Sequence, residues 1–166
     1  FEDVLKQTQK DQTARAFGAR PTPEGLLDIG IDALEAAEFH LKSFHDGDQA
    51  EAPLACAEGC TFCCHQYVGL SVPELAVLAK FITSRMNRAG RARLLARLSE
   101  VARATLGMGH FERASSHIDC PLLDPETRRC TVYAARPLTC RGMHSLSREA
   151  CEEDDVAPGP TRPIPQ

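Results

Sequence analysis

The chain has 166 residues, 43% hydrophobic and 25% charged, which fits one domain with loose ends. A formal net charge of −4 argues against a dedicated nucleic-acid or anionic-membrane binder, and no apolar run approaches the roughly 20 residues that span a bilayer. Eight cysteines stand out: they are too dilute for a small disulfide scaffold, yet with no Trp and only two Tyr the core is expected to be modest.

Residues 1–20 are polar apart from Phe1, Val4, Leu5 and Phe17, and read as a peripheral helix or flexible arm. No secretory leader is expected from the polar stretch Lys6 to Gln12. From Pro23 to His45, Leu27, Ile31, Leu34 and Leu41 recur at helical spacing, with Pro at the opening where a missing N–H costs nothing. Gly47 ends this helix, and a small acidic loop leads to the first cysteines.

Ser71-Val-Pro-Glu74 has the form of a capping box, Ser at the N-cap and Glu three positions on. The helix it opens is expected to bury Leu75, Leu78, Ala79, Ile82 and Met86, with Asn87 and Gly90 breaking it. A third helix is predicted from about Arg91 to Leu106, with Leu94, Leu98, Val101 and Thr105 inward and Gly107 and Gly109 closing it. The segment from Cys120 to Cys151, punctuated by Pro121, Pro125 and Pro137, reads as irregular, with one short strand-like stretch at Cys130–Tyr133. The fold class is therefore mainly α: a small scaffold of about three main helices with irregular, metal-stabilised cysteine-rich loops. Residues 21–152 form the expected single domain, and 153–166 an acidic, then Pro-rich tail read as disordered.

The first cysteine segment is Cys56-Ala-Glu-Gly-Cys60-Thr-Phe-Cys63-Cys64-His65. A short loop can turn several thiolates onto one point, with Gly59 supplying permissive backbone. Thiolates are soft ligands that select zinc, copper(I) or iron–sulfur clusters over calcium or magnesium. The neighbours Cys63 and Cys64 point apart in regular structure. One is expected to join Cys56 and Cys60 and the other to face a second site or the core. His65 reads as a ligand, a hydrogen-bonding support for a ligand, or a plain polar residue.

The second segment runs Cys120-Pro-Leu-Leu-Asp124, then Arg129-Cys130-Thr-Val-Tyr133, then Arg136-Pro-Leu-Thr-Cys140-Arg141, with Cys151 beyond His144 and Ser145. Ten-residue intervals are no zinc-finger spacing, so these cysteines must fold back onto the first group. Four plus four thiolates satisfy two tetrahedral sites, or one cluster with spare thiols. Arg136 and Arg141 flank Cys140; a cation there lowers thiol pKa values and offsets thiolate charge, or the arginines simply pair with Asp124 or backbone carbonyls.

Order, spacing and the flanking residues from Gly59-Cys60 through His65, Cys120–Asp124, Cys130 with Tyr133, Arg136–Arg141 and His144–Cys151 resemble the YkgJ-type cysteine-cluster family of zinc- or iron-chelating domains. The resemblance covers about residues 54 to 152. Its opening differs, C-x3-C here against the family's common C-x2-C, which leaves Cys56 the least secure of its group. It implies metal ligation by Cys56, Cys60, Cys63, Cys64, Cys120, Cys130, Cys140 and Cys151, with His65 and His144 in reserve. It implies no settled reaction; some similar proteins are iron–sulfur proteins, and a flagellin lysine methylase carries a similar cluster.

Other signals are bland. Arg85, Arg88, Arg91, Arg93, Arg97 and Arg103 make a basic stripe, but no aromatic residues interleave for base stacking, so it reads as a solvated helix face. His110 and His117 read as surface or capping residues. There is no phosphate loop, Ser/His/Asp constellation or H-E-x-x-H motif. The leading expectation is a zinc- or iron-chelating protein, structural or engaged in metal handling, with zinc favoured over iron. An iron–sulfur redox or enzyme module, holding for example a 4Fe-4S cluster, is the alternative. A disulfide-stapled interaction protein is the lesser one. The expected partner is the metal ion, without membrane or nucleic acid, and the expected location is cytoplasmic.

Overall fold

A computed structural model describes residues 22–46, 54–56 and 59–156, plus Gln7, Lys10, Asp11 and Ala14, with the side chains of 44–46 and 154–156 excluded. Most of the expected arm at 1–20 lies outside the described residues; its four described positions are helical, and Gln7 donates to Asp11 at 2.9 Å. Among the described residues the chain is mainly helical and contains no strand, and no helix is long and apolar enough to cross a membrane.

Helix α1 spans Pro23–Asp46. Thr22 starts it, its hydroxyl accepting from the Gly25 N–H at 3.0 Å. Helix α2, Val72–Arg85, opens with the expected capping box: the Ser71 hydroxyl accepts from the Glu74 N–H, and the Glu74 carboxylate accepts from the Ser71 N–H at 2.9 Å. α1 and α2 pack against each other, and Gly30 of α1 lies tight against the first turns of α2. A Cβ there would lie 2.5 Å from the Pro73 carbonyl oxygen and 2.6 Å from a Val77 methyl.

α2 ends at Arg85, so the break falls at Asn87 as expected, while Gly90 lies inside the next helix. Asn87 caps helix α3, Arg88–Ala104, by accepting from the Gly90 N–H at 2.9 Å, so α3 starts a turn earlier than its apolar periodicity predicts. Leu78 and Leu94 are buried as expected, but Leu75 is 52% and Leu98 39% exposed. Both line a cavity between these helices and the cysteine segments. The apolar faces of α2 and α3 thus serve two purposes, one packing and one walling.

A short helix, α4, His110–Ser115, capped by Gly109, precedes the region expected to be irregular, and two more begin inside it: α5, Leu138–Gly142, and α6, Arg148–Val156. At five to nine residues they are too short for an apolar periodicity to declare itself. α6 carries the chain through Val156, and the rest of the expected tail lies outside the described residues. The strand-like stretch at Cys130–Tyr133 is corrected to a single antiparallel bridge between Leu123 and Cys130, because the chain turns into a 3-10 turn at Tyr133–Ala135 before a ladder can form.

The core is small. Leu78 of α2 meets Val132 and Ala135, with Val77, Phe81, Ile82, Leu122 and Cys130 packed around them. This contact pins the second cysteine segment onto α2. The ion pair between Arg141 of α5 and Glu38 docks the end of that segment on α1. Arg141 also donates to the carbonyls of Arg136 at 3.0 Å and Ala134 at 2.8 Å, the backbone-carbonyl partnership that the sequence left open.

Candidate metal centre

The first cysteine segment turns as its composition demands. Gly59 adopts φ +91°, a left-handed conformation that glycine takes at no steric cost. A 3-10 turn at Phe62–His65 then brings Cys63, Cys64 and His65 round in succession. The second segment makes a hairpin-like loop around Asp124. Its carboxylate accepts from the Thr127 N–H at 2.7 Å and the Glu126 N–H at 3.1 Å, an Asx turn that folds Cys130 back toward Cys120.

Three links join the two segments. The Cys120 N–H donates to the Cys64 carbonyl at 3.0 Å. His65, buried, sets its Nε2 3.1 Å from Asp119 Oδ1, and Arg128 grips the same carboxylate through two nitrogens at 2.6 and 3.1 Å while reaching Thr61 at 3.3 Å. At the opening cysteine, Ala55 donates to the Ser145 carbonyl at 2.8 Å and the Ser145 N–H donates to Cys56 Sγ at 3.2 Å. α6, which carries Cys151, packs on the Phe62–His65 turn, with Arg148 5.6 Å over the Phe62 ring.

All eight cysteines are free thiols. Seven of them, all but Cys151, line one cavity of about 760 Å3, together with His144, Arg113 and Arg136. Cys60, Cys64, Cys120, Cys130, Cys140 and Cys151 are half-buried, and Cys56 and Cys63 are exposed. Among the described residues no three His, Cys, Asp or Glu side chains stand in positions that could hold a metal ion as they are. The seven thiols share a cavity without converging on one point.

Their electrostatics sort them into two overlapping groups. Cys56 feels the charges of Cys60, Cys63 and Cys151, and burial raises its pKa. Cys140 feels Cys120, Cys63 and Cys130, and burial pushes its pKa up to about 12. Cys64 keeps its proton: it donates to Cys63, which raises its own pKa and lowers that of Cys63. Cys63 belongs to both groups. The adjacent pair Cys63 and Cys64 is also tied together by that bond.

The donor set suits a soft metal, and two features beyond the thiols fit one. Cys56 already accepts an N–H···S bond, and the buried Arg136 Nε has no hydrogen-bond partner among the described residues, an orphan donor on the cavity wall. Over residues 55–157 the chain matches the CxxCxxCC family, described as "Putative zinc- or iron-chelating domain". The chain belongs to that family. No curated protein and no solved structure matches it.

Membership of the CxxCxxCC family supports metal binding in general, and all eight cysteines fall within the matched residues. The motif-based expectation missed the residues that assemble the cavity rather than line it with sulfur. Asp119, Arg128 and Ser145 are long-range partners whose only sequence signal was their position beside a motif cysteine or within a motif segment. Arg113, buried on α4, and Arg97, whose guanidinium reaches the Cys120 carbonyl at 3.5 Å, were hidden in the basic stripe and its continuation. Two others of that stripe serve local ends: Arg91 caps the end of α2 through the Met86 carbonyl at 2.8 Å, and Arg103 bonds the Ser99 carbonyl at 3.1 Å.

Proposed function

We propose that this CxxCxxCC protein binds zinc or iron through its clustered thiolates, as a structural or metal-handling protein in a reducing, cytoplasmic setting. The observation that carries this reading is that seven of the eight cysteines, from segments about 60 residues apart, line one cavity. The proposed ligands are Cys56, Cys60, Cys63 and Cys151 in one group and Cys64, Cys120, Cys130 and Cys140 in the other. Loading requires their side chains to rotate inward, since four thiolates must approach a zinc ion to about 2.3 Å. Zinc is the favoured metal because a four-thiolate tetrahedral site needs no assembly machinery.

Elemental analysis of anaerobically purified protein tests this directly. Stoichiometric zinc or iron, with loss of helical signal on chelation, is the expected result. Metal-free protein that keeps its fold and takes up neither ion overturns the reading.

The cavity's size supports a second reading, an iron–sulfur cluster. About 760 Å3 is far more than one ion needs, and four thiolates are the usual cluster ligands. A brown protein with visible sulfur-to-iron absorption after anaerobic preparation favours the cluster. Colourless, zinc-only protein made with iron supplied excludes it.

A further inference from the structure

Arg136 lies between the Tyr133–Ala135 turn and Pro137, at the edge of the cysteine cavity. Its guanidinium carbon sits 4.3 Å above the centre of the Tyr133 ring, and its carbonyl is held by Arg141 Nε at 3.0 Å. Backbone and side chain are thus both clamped. Its Nε–H is buried, yet no acceptor among the described residues meets it. A buried donor left unpaired is costly, and native folds leave few of them without a reason. Sulfurs share the cavity that Arg136 lines: Cys63 and Cys140 both stand on its wall.

We propose that Arg136 is a positioning residue that donates its Nε–H to a metal-bound thiolate of Cys63 or Cys140, setting the charge and reactivity of the loaded centre. This rests on the metal reading above. A divalent ion surrounded by four thiolates carries surplus negative charge, and a fixed guanidinium beside it offsets that charge without being a ligand itself. A hydrogen bond to a coordinated sulfur draws on its lone pair, so the sulfur is less basic and less nucleophilic. The centre then holds its metal at lower pH and resists alkylation and oxidation.

The test compares the wild-type chain with R136M, loaded with cobalt(II) as a spectroscopic probe and with zinc. R136M is expected to bind about tenfold or more weakly, to release metal at higher pH, to shift the sulfur-to-cobalt absorption band, and to be alkylated faster by iodoacetamide when zinc-loaded. If R136M does not fold, Y133L takes its place: Tyr133 is 54% exposed, so its loss frees the guanidinium without opening the core. Y133L is expected to move the same band in the same direction. A variant that loads with unchanged affinity, release pH and spectrum overturns this inference alone. Wild-type protein that takes up neither cobalt nor zinc overturns the metal reading and this inference with it.

Discussion

His65 Nε2 lies 3.1 Å from Asp119 Oδ1, and this contact closes a chain from the first cysteine turn through Asp119 to Arg128 and back to Thr61. The two cysteine segments are therefore latched to each other by protein groups other than the thiols. Arg128's hydrogen bonds hold the Asp119 carboxyl below the usual carboxylate range, with His65 adding to the effect. A depressed folded pKa means the stabilisation is present at neutral pH and lost as pH falls through that lowered value. D119N is expected to lower stability at pH 7 by about 1 kcal/mol, a modest figure because the carboxylate is 37% exposed. The gap between D119N and wild type closes in acid. Thermal melts at pH 7 and pH 3 check this; equal gaps at both refute it.

Glu74 ties the start of α2 to the start of α5. Its carboxylate accepts from the Ser71 N–H at 2.9 Å and from the Leu138 N–H at 2.8 Å, and the residue is 8% exposed. E74A removes a buried acceptor from both N–H groups and is expected to cost about 2–3 kcal/mol. S71A disturbs only the cap and is expected to cost about 1 kcal/mol. Denaturant midpoints rank them, and an E74A no worse than S71A shows the Leu138 bond to be dispensable.

Gly30 packs tightly between α1 and α2. G30A places a methyl group 2.5 Å from a backbone oxygen that has no freedom to retreat, so the helices must separate. Helix propensity alone favours Ala by about 1 kcal/mol. Overpacking is expected to outweigh it, for a net loss of about 1–2 kcal/mol. Gly109 is the control, since nothing lies within 4 Å of a Cβ built there. A G30A protein more stable than wild type refutes this packing.

The three long helices and the capping box were legible in the sequence because their signals are local. Ser71 and Glu74 are three residues apart, and Leu78 and Leu94 sit in helices long enough to show a period. That Cys120–Cys151 must return to Cys56–Cys64 was legible too, but only as a necessity. How it returns was not. The His65–Asp119 and Leu138–Glu74 contacts span 54 and 64 residues, and the Ser145–Cys56 contact spans 89. Nothing in either partner's neighbourhood announces the other. Asn87 shows the same limit at short range: it was read only as the break that ends one helix, and its side chain also starts the next.

Under the proposed metal reading, Cys140 is a ligand whose proton makes uptake depend on pH. Burial pushes its pKa up to about 12, and the nearby Cys120, Cys63 and Cys130 thiols reinforce the rise. In the metal-free fold this thiol is protonated at neutral pH, and a metal must displace that proton to bind the sulfur. Cys64 and Cys120 are raised as well and carry protons in the same way. Cys63, lowered by the hydrogen bond from Cys64, has the least to give. Zinc uptake is therefore expected to release protons at pH 7, fewer than one per coordinating sulfur, with affinity rising steadily from pH 6 to pH 9. The metal-free fold has the opposite trend: above the ordinary thiol value of 9.0, the unfolded chain ionises where folded Cys140 does not, so stability falls as pH climbs toward about 12. Indicator-dye titration during zinc addition, paired with alkaline melts of metal-free protein, reads both trends. Zinc binding that releases no protons, or affinity flat across that range, shows that the thiols are already ionised in the metal-free fold.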